Sequence, residues 1–105
     1  MIERLRLKFC FKLTAIGLSL LFQSCNRLKL LDLSGIHVMN DLFINSLCQS
    51  AMLHSLEWLE MAMCPLLTDS AVLQVVNSFS RLKRLNIADC KKISEQIKEY
   101  VKIRF

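Results

Sequence analysis

Apolar residues recur along this chain in a compound pattern, neither purely helical nor purely strand-like. A short alternating stretch comes first, then a turn, then a longer stretch with apolar residues at helical spacing. Leu56, Leu59, Met61 and Cys64 mark it most clearly, reading LxxLxLxxC with Met in a Leu slot. Leu82, Leu85, Ile87 and Cys90 repeat that spacing 26 residues later. Leu28, Leu31, Leu33 and Ile36 stand 28 residues before Leu56 and its partners, and Ile2, Leu5, Leu7 and Cys10 a further 26 before those. Self-similarity at such a period signals stacked supersecondary units, none of which can bury its apolar face alone.

The correspondence runs on past the cysteine slot. Leu13, Met39, Leu67 and Ile93 are apolar, and each is followed by a helix-capping residue, namely Thr14, Asn40, Thr68 and Ser94. A side-chain oxygen at such a position accepts a hydrogen bond from an orphan amide of the first turn. Ala15, Asp41, Asp69 and Glu95 come next, and the three acids suit the positive end of a helix dipole. Apolar residues then follow at helical spacing: Leu18, Leu21 and Phe22, then Ile44, Leu47 and Cys48, then Val72, Val75 and Val76. Ile97, Tyr100 and Val101 do so one residue out of register. Cys25, Leu53 and Phe79 fill the slot three residues before the next unit.

The pattern predicts four units over about 2–27, 28–55, 56–81 and 82–105, forming one domain over 1–105. Each is a strand, a turn and a capped helix. Parallel strands are expected near 4–8, 30–34, 58–62 and 84–88, and helices after Thr14, Asn40, Thr68 and Ser94. The fold class expected is α/β: a leucine-rich-repeat solenoid, a right-handed superhelix with short parallel strands on the concave face and helices on the convex face.

The run from Leu56 to Asp69 fits LxxLxLxxCxxLTD, and Leu82 to Glu95 repeats it with Ile93-Ser94-Glu95 in the last three places. In this the chain resembles the cysteine-containing leucine-rich repeats of the F-box/leucine-rich-repeat proteins. The likeness covers nearly the whole chain and is strongest from Leu28 to Val101. Ile36 in a cysteine slot and Ala15 in an acid slot depart from it. The resemblance implies a substrate-recruiting arm of an SCF-type ubiquitin ligase, cytoplasmic or nuclear. No F-box helical module is recognised here, so the ligase adaptor would be reached only through a module outside these residues. Repeat-only relatives, such as certain mitotic regulators and the mitochondrial ATP synthase factor B group, imply instead a regulatory or assembly protein unconnected with ubiquitin. In both cases the partner is another protein.

Strand side chains alternate between faces. If the leucines point into the core, the residues between them line the opposite face: Arg4, Arg6 and Lys8; Leu30, Asp32 and Ser34; Trp58, Glu60 and Ala62; Arg84, Asn86 and Ala88. The candidate partner-binding residues are Arg4, Arg6, Leu30, Asp32, Trp58, Glu60, Arg84 and Asn86. An exposed Trp beside a Leu, ringed by charge, has the composition of an interaction hot spot. Arg4, Arg6 and Lys8 favour acidic segments on a partner, and Asp32 and Glu60 favour basic ones.

Composition narrows the chemistry. The chain is 53% hydrophobic with two Gly and one Pro, which argues for an ordered core. The net charge of +5 is scattered rather than gathered into a basic run with interleaved aromatics, so no nucleic-acid partner is expected. Cys10, Cys25, Cys48, Cys64 and Cys90 form no CxxC, and His37 and His54 supply no paired ligands, so no metal or other cofactor is expected. Cys10, Cys64 and Cys90 are expected to stack at the turn after each strand, buried and unpaired. There is no GxxxxGK, GxSxG or HExxH, and no enzymatic activity is expected. One reading competes for the N-terminus. Basic residues in Met1–Lys8, the apolar run Leu13–Phe22 and Ser24-Cys25 imitate a secretory or lipid-attachment signal. Lys12 breaks the apolar region and Glu3 lies among the basic residues, and the repeat register accounts for the same positions. No stretch is long enough to span a membrane.

Overall fold

The computed structural model describes residues 2–105. Strands β1 (Arg4–Arg6), β2 (Leu30–Asp32), β3 (Trp58–Glu60) and β4 (Arg84–Asn86) alternate with helices α1 (Ala15–Ser24), α2 (Asp41–Leu47), α3 (Asp69–Ser78) and α4 (Glu95–Arg104). The strands form one four-stranded sheet in sequence order, every pair parallel. Arg4, Leu30, Trp58 and Arg84 lie side by side, as do Leu5, Leu31, Leu59 and Leu85, and Arg6, Asp32, Glu60 and Asn86. The offsets of 26, 28 and 26 read from the sequence are therefore the pairing register. The chain is an α/β protein built on a parallel sheet.

One apolar core joins sheet to helices. Leu31, Leu33, Leu59, Met61 and Ile87 from the strand regions meet Leu18, Phe22, Ile44, Leu47, Val72, Val75 and Val101 from the helices. Leu31 and Leu59 are fully buried between neighbouring units, whereas Leu5 and Leu85, each with a strand on one side only, are partly buried. Tyr100 departs from the sequence reading: it is exposed, while Val101 is buried and Ile97 packs on the core. The one-residue slip in α4 turns the ring outward. The two extra residues of the second unit are taken up by a 3-10 turn over Ala51–His54, and Met52 rather than Leu53 is its fully buried residue.

The strands start where expected but stop two residues early. Phe9, Gly35, Met63 and Asp89, the corresponding residue of each unit, all have positive φ of 57° to 73°. The backbone leaves the extended region there. Hydrogen bonds between units continue regardless, since the Gly35 amide donates to Ala62 O and the Met63 amide to Ala88 O. Side chains also claim the amides at the turn. Asp32 Oδ1 accepts the Ser34 amide at 3.0 Å and Asn86 Oδ1 accepts the Ala88 amide at 2.9 Å. At Gly35 an added Cβ would fall 2.2 Å from the Phe9 ring, so a larger residue there would have to displace that exposed ring.

The caps follow the sequence reading with one correction. Thr14 accepts from the Gly17 amide, Asn40 from Phe43 and Ser94 from Ile97. Thr68 makes no such bond. Its hydroxyl donates instead to Asp41 Oδ2, and its amide donates to Asp41 Oδ1 at 2.9 Å. Asp69 does the same one unit on, accepting the Ser94 amide at 2.7 Å. The acid after one cap thus reaches the cap of the next unit, a link between units in addition to the dipole interaction read from sequence.

The cysteine slot also ties units together. Cys64 Sγ donates to Leu33 O at 3.5 Å and Cys90 Sγ to Met61 O at 3.1 Å, each carbonyl lying in the preceding unit. Both thiols are fully buried, while Cys10 is only half-buried, against expectation, because among the described residues β1 is an edge strand with a neighbouring unit on one side alone. All five thiols are free. Burial pushes the Cys64 thiol from its ordinary 9.0 up to about 11, with the neighbouring Cys90 adding to the rise, and burial raises Cys90 and Cys48 as well. Cys64 titrates near 9 unfolded and near 11 folded. The stability tied to its neutral form is thus whole below pH 9 and is lost as the pH rises through 11. At pH 8 a thiol reagent is expected to label Cys10 of the native protein readily. Cys64 and Cys90 should react on the order of a hundredfold more slowly than in urea, since reaction requires opening of the core. Equal rates at all sites, followed by mass spectrometry of peptides, would show that these thiols are not packed between units.

Candidate protein-binding face

Alternation along the strands places all eight candidate residues on the sheet face opposite the helices. Two rows result, Arg4–Leu30–Trp58–Arg84 and Arg6–Asp32–Glu60–Asn86. The sequence reading took Leu30 and Asp32 as accessible, and the structure corrects both. Leu30 is 4% exposed and Asp32 8% exposed. Each sits in β2 with a longer side chain on either side in the same row, so its neighbours cover it. Asp32 also turns one oxygen onto the Ser34 amide. Ser34, buried on the same column, accepts the Ala62 amide at 3.1 Å.

Trp58 is half-buried rather than free. Its Nε1–H donates to Glu60 Oε1 at 2.6 Å, and Asn86 Nδ2–H donates to Glu60 Oε2 at 2.6 Å. The Arg84 guanidinium lies over the indole, 4.6 Å from the ring centroid. Such stacking holds a planar cation against the negative face of the ring. Trp58, Glu60, Arg84 and Asn86 thereby form one connected cluster. Its polar ends are satisfied and part of its aromatic surface is open, a preorganised arrangement that loses little side-chain freedom on contact. The register read from the sequence sets Trp58 beside Arg84 and Glu60 beside Asn86, but the hydrogen bonds that join them into a network were not legible in it.

The charges on the face are not equally available. Glu60 is committed to Trp58 and Asn86, and Asp32 is covered. Arg4, Arg6 and Lys8 are exposed, and none makes an ion pair among the described residues. The mixed charge expected on this face from strand alternation becomes, in the folded chain, a basic edge beside a neutralised aromatic cluster.

Arg4, Arg6, Leu30 and Trp58, joined by Glu3, Lys29 and Glu57, line a notch of about 270 Å³ on this face. The sequence reading missed the last three, which lie just before the strands and reach the face only through the pairing of the units. A larger hollow of about 440 Å³ lies elsewhere, between α1 and α2, lined by Ser19, Phe22, Gln23, Ser46, Gln49, Ser50 and Ala51. None of those side chains titrates, so the hollow has no base to activate a serine. Among the described residues no group of three His, Cys, Asp or Glu is placed to hold a metal ion, and no helix is long and apolar enough to cross a membrane.

Comparison with known proteins finds no family model that matches this sequence and no curated protein that matches it significantly. Architecture and side-chain chemistry therefore carry the functional argument.

Proposed function

We propose that this chain is a leucine-rich-repeat solenoid that binds another protein across the open face of its sheet and carries out no chemistry itself. The observation that carries the reading is the Trp58–Glu60–Arg84–Asn86 cluster. A large aromatic is held half-open in mid-sheet by partners that leave no polar atom of the indole unpaired. Interfaces concentrate their energy in Trp and Arg placed this way. The repeated slots, the register and the capped helices support the solenoid reading. The sequence resemblance suggests a substrate-recruiting role in ubiquitin ligation, with a repeat-only regulatory or assembly role as the other reading.

Trp58→Ala is expected to weaken partner binding at least tenfold, equivalent to about 1.4 kcal/mol. It should cost about 1–2 kcal/mol of stability, because the ring is half-buried and stacked. Affinity capture followed by mass spectrometry tests this. Proteins bound by the wild type should be lost with Trp58→Ala and kept with Leu42→Ser, a 75% exposed position on α2. The opposite pattern would place binding on the helices and overturn the reading.

A further inference from the structure

The notch beside Trp58 defines the chemistry of what docks there, and this inference rests on the open-face reading above. Seven residues line it: Glu3, Arg4, Arg6, Lys29, Leu30, Glu57 and Trp58. Their charges do not all count. Lys29 pairs with Glu3 at 4.0 Å, and Glu57 pairs with Lys83 at 3.2 Å. The two arginines remain, exposed and without an acid partner among the described residues. They are two residues apart on one strand and so point to the same face, about 7 Å apart. Leu30 forms the floor between them and Trp58. Arg84 covers one face of the indole, and the flank toward Leu30 is what the notch presents. The notch therefore offers two unpaired guanidinium groups on one wall, an aromatic on the other and an apolar base.

We propose that this notch binds an acidic segment of a partner polypeptide. A carboxylate of that segment lies between Arg4 and Arg6, and the neighbouring apolar side chain rests against Trp58 above Leu30. Guanidinium groups match a carboxylate's planar geometry and hold it through paired hydrogen bonds. The same two arginines repel a basic segment, and the acids alongside offer it no free carboxylate, since Asp32 is covered and Glu60 is held by Trp58 and Asn86. A nucleic acid fits less well. A phosphate backbone needs a track of several cations, whereas here only Lys8 extends the two arginines, and the acids lie across the path.

A phage-displayed library of random dodecapeptides, panned on the whole chain, tests this. Enriched peptides should carry Asp or Glu within two positions of an aromatic or large aliphatic residue. A labelled peptide made from the selection, followed by fluorescence anisotropy, should bind at least tenfold more weakly to Arg4→Glu/Arg6→Glu. It should bind unchanged to Lys91→Glu/Lys92→Glu, which carries the same charge change at exposed positions off this face. Amidating the peptide's carboxylates should cost as much as reversing the arginines. Circular dichroism and melting of the double variant confirm folding, since both side chains are exposed. Selection of peptides without an acid overturns the proposal, as does binding indifferent to the arginine reversal. If such binding is still lost with Trp58→Ala, the open face survives and only the acidic docking fails. Binding lost with Leu42→Ser but not with Trp58→Ala, or no enrichment at all, removes both. Equal affinity for a labelled oligothymidylate overturns the proposal in favour of a polyanion site.

Discussion

Leu59→Ala is expected to destabilise the fold by about 3–5 kcal/mol, a large share of the roughly 5–15 kcal/mol that holds a small domain together. Leu59 is fully buried in β3, between Leu31 and Leu85 in the inward-facing row. Truncation loses the transfer energy of its methyl and methylene groups and leaves a cavity that strands on both sides prevent from collapsing. Leu85, partly buried in edge strand β4, provides the comparison. Leu85→Ala should cost about half as much, because the open side admits relaxation and water. Urea unfolding followed by circular dichroism gives both numbers, with the slope against denaturant unchanged for a clean core loss. Equal costs at the two positions would mean that the inner units are not more tightly packed than the edge.

Asp41→Ala is expected to cost about 3 kcal/mol although the residue lies on the helix surface, because it removes two hydrogen bonds to a charged acceptor. The Thr68 amide and hydroxyl lose their partner together, and the first turn of α2 loses its acid. Asp69→Ala, which breaks one bond to the Ser94 amide, should cost about 1.5–2 kcal/mol. Glu95→Ala is the control. Its side chain is 91% exposed and makes no equivalent bond, so its effect should stay within about 0.5 kcal/mol. Asp41→Asn, which keeps an acceptor for the Thr68 amide, should recover part of the loss. If Asp41→Ala and Glu95→Ala had the same effect, the acids would act only on their own helix dipoles, as the sequence alone suggested.

The comparison with Glu95 shows where sequence reasoning reached and where it stopped. The capping slot and the acid after it were legible at Asn40-Asp41, Thr68-Asp69 and Ser94-Glu95, because local preferences at a helix start are written in adjacent residues. That Asp41 belongs to the cap of the next helix was not legible. The bond spans 27 residues and exists only once two units stack in register. Likewise the swap of Met52 for Leu53 in the core depends on how a 3-10 turn absorbs two extra residues, which spacing does not specify.

The binding face divides in the same way. By itself the sequence determined which residues share it. A strand's side chains alternate strictly, and the LxxLxLxx spacing fixes which set is inward. It also determined the register, because one-residue slips would turn every leucine to the wrong side. Only the tertiary structure decided which of the shared residues can meet a partner. Accessibility is a property of neighbours: Leu30 is covered by the longer side chains of the adjacent strands, Glu60 is taken by Trp58 and Asn86, and Arg4 and Arg6 are left free at an edge. Alternation is local and survives in the sequence. Coverage and pairing arise between residues 26 or 28 positions apart and come into being only when the units stack.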